Sequence, residues 1–223
     1  LVHHDRRLNR EHPPLAKELI GLGMLVFGDN PLGWRFMPSA FGALALAGIY
    51  LWSLALFREV RPALLATIFT LFNQVLYVNS RFGNIDVFNF AFIIWGIAAF
   101  TASWRAATPA QGRRLVMLSG ACFGLSTACK WIGVVPWIIC IGIVLVVRQF
   151  QLWRVRFAEP GELDWYRRDL WSGIRLNNWL IGFGAIPLVL YYLAFLPTYG
   201  VISLPEFIQL HVEVLGAMAK KGK

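Results

Sequence analysis

FMPSAFGALALAGIYLWSLALF, residues 36–57, carries no charged side chain. A helix needs ~20 mostly apolar residues to cross ~30 Å of hydrocarbon, and this stretch supplies them. Arg58-Glu59-Val60-Arg61-Pro62 ends it, with Pro62 placed to open the next helix. Five further apolar runs follow, at residues 63–78, 85–103, 115–129, 132–147 and 178–196. The run at 115–129 is short, so its helix is expected to extend into the flanking residues. An amphipathic, Arg-rich segment fills 148–177. Upstream, 15–27 is apolar but too short to cross, and fits a helix lying on the membrane surface. The expected fold is an all-α integral membrane bundle of about six spans. Residues 1–35 form part of one outer loop, 36–197 the bundle and 198–223 the start of another outer loop.

The composition agrees. The chain is 57% hydrophobic and 15% charged with mean hydropathy +0.57, which leaves too little polar surface for a soluble domain of 223 residues. Ten Trp and seventeen Phe suit rings at headgroup level and packing between helices. The net charge of +9 comes from basic loops, which set orientation and meet anionic lipid. No basic stretch is interleaved with aromatics outside the apolar runs, which argues against a nucleic-acid partner. Cys122, Cys129 and Cys140 lie in or beside apolar runs without the paired spacing of a zinc site, and are expected as small buried thiols; no metal site is expected.

Lys and Arg counts give the orientation. Loops 58–62, 104–114 and 148–177 hold two, three and six; the loops between them on the opposite side hold only Arg81 and Lys130. The first set is therefore expected to be cytoplasmic. Arg6, Arg7, Arg10, Lys17 and Arg35 fall on the other side, in a longer loop where the rule is weaker. Leu1-Val2-His3-His4-Asp5 reads as the middle of a loop, so the chain is expected to be a piece of a longer protein.

The polar motifs gather at alternate run ends, on the expected non-cytoplasmic side. Glu11-His12-Pro13-Pro14 sits just before the surface helix, where two prolines fix an extended entry and hold Glu11 and His12 above the bilayer. A solvated helix-start turn is the plain alternative. Asp86 lies at the mouth of an apolar run, where a carboxylate costs up to ~2.5–3.5 kcal/mol at mid-helix and less near an end, so it has a partner or a task. Arg81 is the expected partner; a first-turn acid favoured by the helix dipole is the alternative. Lys130 can snorkel to the interface. With Arg81 it can also grip a lipid-borne phosphate, Arg through its planar fork and Lys as a point charge. Gly28-Asp29-Asn30-Pro31 is turn chemistry, and Trp34-Arg35 an interface anchor. In the amphipathic tail, Phe207, Leu210 and Leu215 are expected to face the membrane while Gln209 and Glu213 face water.

These blocks, in this order, resemble the protein O-mannosyltransferases of glycosyltransferase family 39, which take mannose from polyprenyl- or dolichyl-phosphate-mannose. His12-Pro13-Pro14-Leu15-Ala16-Lys17 is similar to the family's HPPLGK-like motif, with Ala16 in the place of Gly. Phe27-Gly28-Asp29-Asn30-Pro31 and Gly33-Trp34-Arg35 continue the likeness. Arg81 through Asp86 resembles its Arg-x-x-x-x-Asp segment, and Cys129-Lys130-Trp131-Ile132-Gly133 its Lys-Trp helix ending. The resemblance implies a GT-C fold with its site at the outer face. It implies inverting mannose transfer from the lipid phosphate to Ser or Thr hydroxyls of a polypeptide. A carboxylate serves as base and cations steady the departing phosphate. Arg81 and Lys130 would then bind the donor phosphate, Asp86 would orient Arg81, and Glu11 and His12 would shape the pocket. The family's Asp-Glu pair has no match before His12, since Asp5 has the wrong neighbours. The catalytic base is therefore expected upstream of Leu1, and the piece alone is expected to be inactive.

No cofactor beyond the lipid-linked donor substrate is expected. The Ala-rich, compact loops lean toward a bacterial plasma membrane over endoplasmic reticulum. The oligomeric state stays open, a dimer included. A related GT-C enzyme that passes a polyprenyl-phosphate-linked sugar to a glycolipid such as lipid A keeps the fold and changes the acceptor. A transporter needs polar or broken helices at mid-bilayer, whereas the ionisable residues here cluster at run ends. A non-catalytic scaffold would leave that clustering as coincidence.

Overall fold

The computed structural model describes residues 12–157, 171 and 173–221. All regular elements among the described residues are helical. Among the described residues four stretches are long and apolar enough to cross a membrane: Pro31–Phe57, Asp86–Ser103, Trp131–Trp153 and Leu176–Tyr199. The protein is a multi-pass helical membrane bundle.

The chain enters through α1 (Leu15–Phe27) and turns back at once into α2 (Pro31–Phe57). Gly28 makes that reversal at φ 86, a backbone region that costs a side chain strain. Asn30 caps α2, its Oδ1 accepting from Leu32 N at 2.9 Å and Gly33 N at 3.2 Å. Gly-Asp-Asn-Pro is thus a structural turn, as its composition predicts. The two helices touch at their glycines: a Cβ on Gly23 would stand 2.4 Å from the Gly33 carbonyl oxygen.

The apolar run at 63–78 does not form one helix. α3 (Val60–Leu71) stops and α4 (Gln74–Asn79) restarts, because Asn73 turns its side chain to accept from Leu76 N at 3.1 Å. A polar cap inside an apolar run is the signal that hydropathy alone passes over. The central pair is α5 (Asp86–Ser103) and α6 (Pro109–Cys129). α6 begins well before its apolar core at 115, with Thr108 capping Gln111 N at 3.2 Å and Pro109 in the first turn. Arg113 and Arg114 make it less apolar than its neighbours, and much of it is buried between them.

α6 meets the last span through small residues. A Cβ on Gly120 would lie 1.6 Å from the Gly182 carbonyl oxygen, and one on Gly124 2.6 Å from Pro187 Cα. Small residues four apart let backbones approach where no side chain could fit. A three-residue turn, Trp131–Gly133, links α6 to α7 (Val134–Phe157). The last span is α8 (Leu176–Trp179), a π-helical turn (Leu180–Ala185) and α9 (Ile186–Leu193). Pro187 cannot donate to the helical ladder, and the π turn lies directly before it. α10 (Leu196–Tyr199) and α11 (Leu204–Lys221) follow.

The core has two clusters at opposite ends of α5 and α6. One joins Ala16, Val87, Phe88 and Cys129. The other joins Phe100, Val116, Phe123, Trp171, Trp179 and Phe183. All three cysteines are buried free thiols, as their apolar settings predict.

Candidate functional site

Asp86 is the first residue of α5, and Lys130 caps the end of α6 in an extended conformation. Because α5 and α6 pack along their length, these ends coincide. Lys130 Nζ donates to Asp86 Oδ1 at 2.6 Å. The side chains are 31% exposed for Lys130 and 45% for Asp86, so both remain within reach of a ligand. Asp86 therefore pairs with Lys130, not with Arg81 as the sequence led us to expect. Sequence adjacency pointed to Arg81, but helix packing brings Lys130 closer from 44 residues away.

Asn89 supports this pair from one turn inside α5. It is buried, and its Nδ2 donates to Ser126 O and Ser126 Oγ, each at 3.0 Å, and to the Lys130 carbonyl at 3.2 Å. A buried amide inside an apolar helix must find partners. Here they fix the register of α5 on α6 and the backbone that carries Lys130. Gly133 completes the turn, since a Cβ there would lie 2.4 Å from Ser126 Oγ.

Arg81 lies on the loop that leads into Asp86. Its guanidinium stacks 4.0 Å from the Tyr77 ring centroid. With Arg35, Ser39 and Phe82 it lines a recess of about 360 Å³. Ser39 Oγ donates to the Ser80 carbonyl at 3.0 Å, tying this loop to α2. Two cations, Arg35 and Arg81, thus face one recess.

His12 and Pro13 line a narrow cleft with Trp131, Tyr199 and His211. Lys17 Nζ donates to the His12 carbonyl at 3.2 Å, which holds the turn against α1. Glu11 lies outside the described residues. Glu18 is half-buried in α1 and accepts from Thr198 Oγ1 at 2.6 Å, so α1 is bound to α10. Burial raises the Glu18 carboxyl above its ordinary value, against the Thr198 hydrogen bond, which lowers it.

α11 departs from expectation. Phe207 does not face lipid: its ring packs on Tyr191, Tyr192, Phe195 and His211. Leu210 lines the His12 cleft. The side chain of Leu215 lies outside the described residues. Gln209 and Glu213 are exposed and bonded to each other at 3.1 Å, as the polar face predicts. The amphipathic pattern is present, and Phe207 packs on aromatic side chains of α9 and on Phe195, while Ile208 and Val212 stay exposed. Glu206 reaches back to Ser203 N and Oγ, both at 2.8 Å, and starts the helix. Those bonds hold its carboxyl below the ordinary range.

Sequence reasoning passed over Asn89, Glu18 and Tyr191. Asn89 alone left a trace, an amide four positions inside an otherwise apolar helix. No group of three His, Cys, Asp or Glu among the described residues could hold a metal ion.

A membrane-spanning bundle that brings Asp86 and Lys130 together at one end, with Arg81, His12 and His211 on neighbouring elements, is a multi-pass protein with a polar site at its helix ends. The chain belongs to the family described as dolichyl-phosphate-mannose-protein mannosyltransferase, which matches residues 11–161. A polyprenol-phosphate-mannose–protein mannosyltransferase of Corynebacterium glutamicum is 45% identical over 82 residues, 37% of this chain and 16% of that protein. One from Mycolicibacterium smegmatis is 26% identical over 213 residues, 84% of this chain and 39% of that protein. An undecaprenyl phosphate-alpha-4-amino-4-deoxy-L-arabinose arabinosyl transferase of Pseudomonas aeruginosa is 28% identical over 151 residues, 67% of this chain and 26% of that protein. The chain thus spans less than two-fifths of the length of these curated relatives. No solved structure matches it.

Proposed function

We propose that this chain forms part of a glycosyltransferase that moves mannose from a polyprenyl-phosphate donor to Ser or Thr hydroxyls of proteins, with inversion. Residues 1–35 and 198–223 lie on the non-cytoplasmic side, and six crossings lie between them, the second made by α3 and α4 together. The membrane is the bacterial plasma membrane, in keeping with the bacterial sources of the relatives.

The observation that carries the reading is the Asp86–Lys130 pair, part-exposed at the same bundle end as Arg81 and His12. In the donor the phosphate is a diester with one negative charge. When the acceptor oxygen attacks the sugar C1 and the C1–O bond breaks, the leaving polyprenyl phosphate gains a second. Cations placed beforehand bind the donor's single charge and hold the leaving dianion more strongly still. Lys130 and Arg81 take this role. Asp86 orients Lys130, in place of the Arg81 orientation first expected. Glu11 and His12 shape the pocket. The proton of the acceptor hydroxyl passes to a carboxylate base. Family membership and the names of the relatives further support the reading.

Replacing Arg81 or Lys130 by Ala in the full-length protein, then assaying mannose transfer to a Ser/Thr peptide, tests the proposal. Transfer is expected to fall by on the order of a hundredfold for Lys130→Ala. Unchanged activity and donor affinity would remove both residues from the site. The Pseudomonas aeruginosa relative favours one second reading, transfer of a polyprenyl-phosphate-linked sugar to a glycolipid. Turnover that requires a peptide and ignores lipid A separates the two.

A further inference from the structure

His211 lies beyond the residues matched by the family, on a helix that follows the last span. Its Nδ1 sits 2.7 Å from the Phe207 carbonyl oxygen, which can only accept. Nδ1 therefore carries the proton, and in the neutral ring Nε2 is a bare acceptor. Tyr191 Oη stands 2.7 Å from Nε2 and so donates its proton there. The tyrosine oxygen in turn accepts from Trp131 Nε1 at 2.9 Å. The three bonds have one sense, from Trp131 through Tyr191 and His211 to the Phe207 carbonyl. Aromatic packing backs them: the Trp131 and His211 rings stack at 6.1 Å.

Trp131 directly follows Lys130, and the turn it opens is closed by Gly133 N donating to the Lys130 carbonyl at 2.9 Å. The Lys130 carbonyl is thus held from α5 by Asn89, and the side chain of the next residue, Trp131, from α9 and α11 by this relay. We infer that Tyr191 and His211 are positioning residues that set the reach of Lys130 toward the donor phosphate, through the Trp131 ring. The inference rests on the proposed role of Lys130. It makes the seating of α11 a determinant of donor affinity.

The test uses the full-length enzyme with polyprenyl-phosphate-mannose and a Ser/Thr peptide, measuring kcat and the donor KM separately. Tyr191→Phe keeps the ring and deletes the shared hydroxyl. It is expected to raise the donor KM by on the order of tenfold, the scale of a lost hydrogen bond, and to lower kcat as well, since the same cation faces the leaving phosphate. His211→Gln can still place an acceptor where Nε2 stood and is expected to keep most of the affinity. His211→Asn can reach only the Phe207 carbonyl and is expected to behave like Tyr191→Phe. In a Lys130→Ala background, Tyr191→Phe should add nothing to the donor KM, because the route runs through Lys130. Additive effects there, or a KM unmoved by both Tyr191→Phe and His211→Asn, would overturn the inference. If Lys130→Ala itself leaves the donor KM unchanged, it is the proposed function that fails, and this inference falls with it.

Discussion

The two ends of the α5–α6 pair are built differently. At one end, ionisable side chains link the elements and stay part-exposed: Asp86 to Lys130, Thr198 to Glu18, Tyr191 to His211. At the other end indole, hydroxyl and carbonyl groups are packed among aromatic rings, and the charged side chain that joins them, Arg148, bonds to backbone carbonyls. Trp171 donates from its backbone N to the Trp104 carbonyl at 3.0 Å and from Nε1 to Ser103 Oγ at 2.9 Å. Arg148 donates to the carbonyls of Trp171 and Ile174, each at 3.2 Å. Phe100, Trp179 and Phe183 pack around them. Trp171 even holds φ 62, unusual for a bulky residue, and is 2% exposed. A groove of about 530 Å³ beside it is walled mainly by Ile141, Leu145, Trp179 and Leu180. An exposed ion pair adds only ~0–1 kcal/mol of stability, whereas buried aromatic packing adds several. The first end is costly as a scaffold and suited to a charged ligand; the second is the reverse.

Substitutions should therefore separate activity from stability end by end. The largest effect is expected for Asp86→Ala in the full-length protein. It leaves Lys130 without its orienting partner, and peptide mannosylation should fall by up to about a hundredfold. Thermal stability, followed by melting in detergent, should change by less than ~1 kcal/mol. Gly120→Ala lies between the two ends and should lower stability by ~1–3 kcal/mol, because its Cβ meets the Gly182 carbonyl and the backbones must part.

Trp171→Phe keeps a ring and deletes the bond to Ser103, so a loss of ~1 kcal/mol with unchanged transfer is expected. A fall in transfer with intact stability would blur the contrast. The smallest effect concerns Glu18. Its carboxyl is raised above the ordinary 4.5 by burial, so its folded-state contribution is present in acid and lost as pH rises through the raised value. Amide exchange in α10, corrected for intrinsic rates, should show protection that declines above pH 4.5 and loses that decline in Glu18→Gln.

Much of this was legible in the sequence, and unevenly so. Apolar runs fix helices because a bilayer demands that each segment satisfy its own backbone. The Gly28–Pro31 turn carried its structure in its composition. The break at Asn73 was hidden, because one amide in an apolar run reads as noise until its cap is seen. At the site, Lys130 and Asp86 could each be singled out, but their pairing could not. It depends on the register of α5 against α6, which Asn89 and Ser126 set through contacts 37 residues apart in the chain. Phe207 was misassigned for a related reason. An amphipathic face shows that something apolar covers it, and at Phe207 that cover is Tyr191 and Tyr192 of α9.

Binding of radiolabelled polyprenyl-phosphate-mannose to the full-length protein compares the two ends most directly. Lys130→Ala should weaken binding by roughly tenfold or more, the scale of a lost hydrogen bond to a charged group, while Trp171→Phe leaves it unchanged. Equal affinity in wild type and Lys130→Ala, or an equal loss in both variants, would contradict the assignment of the Asp86–Lys130 end as the donor site.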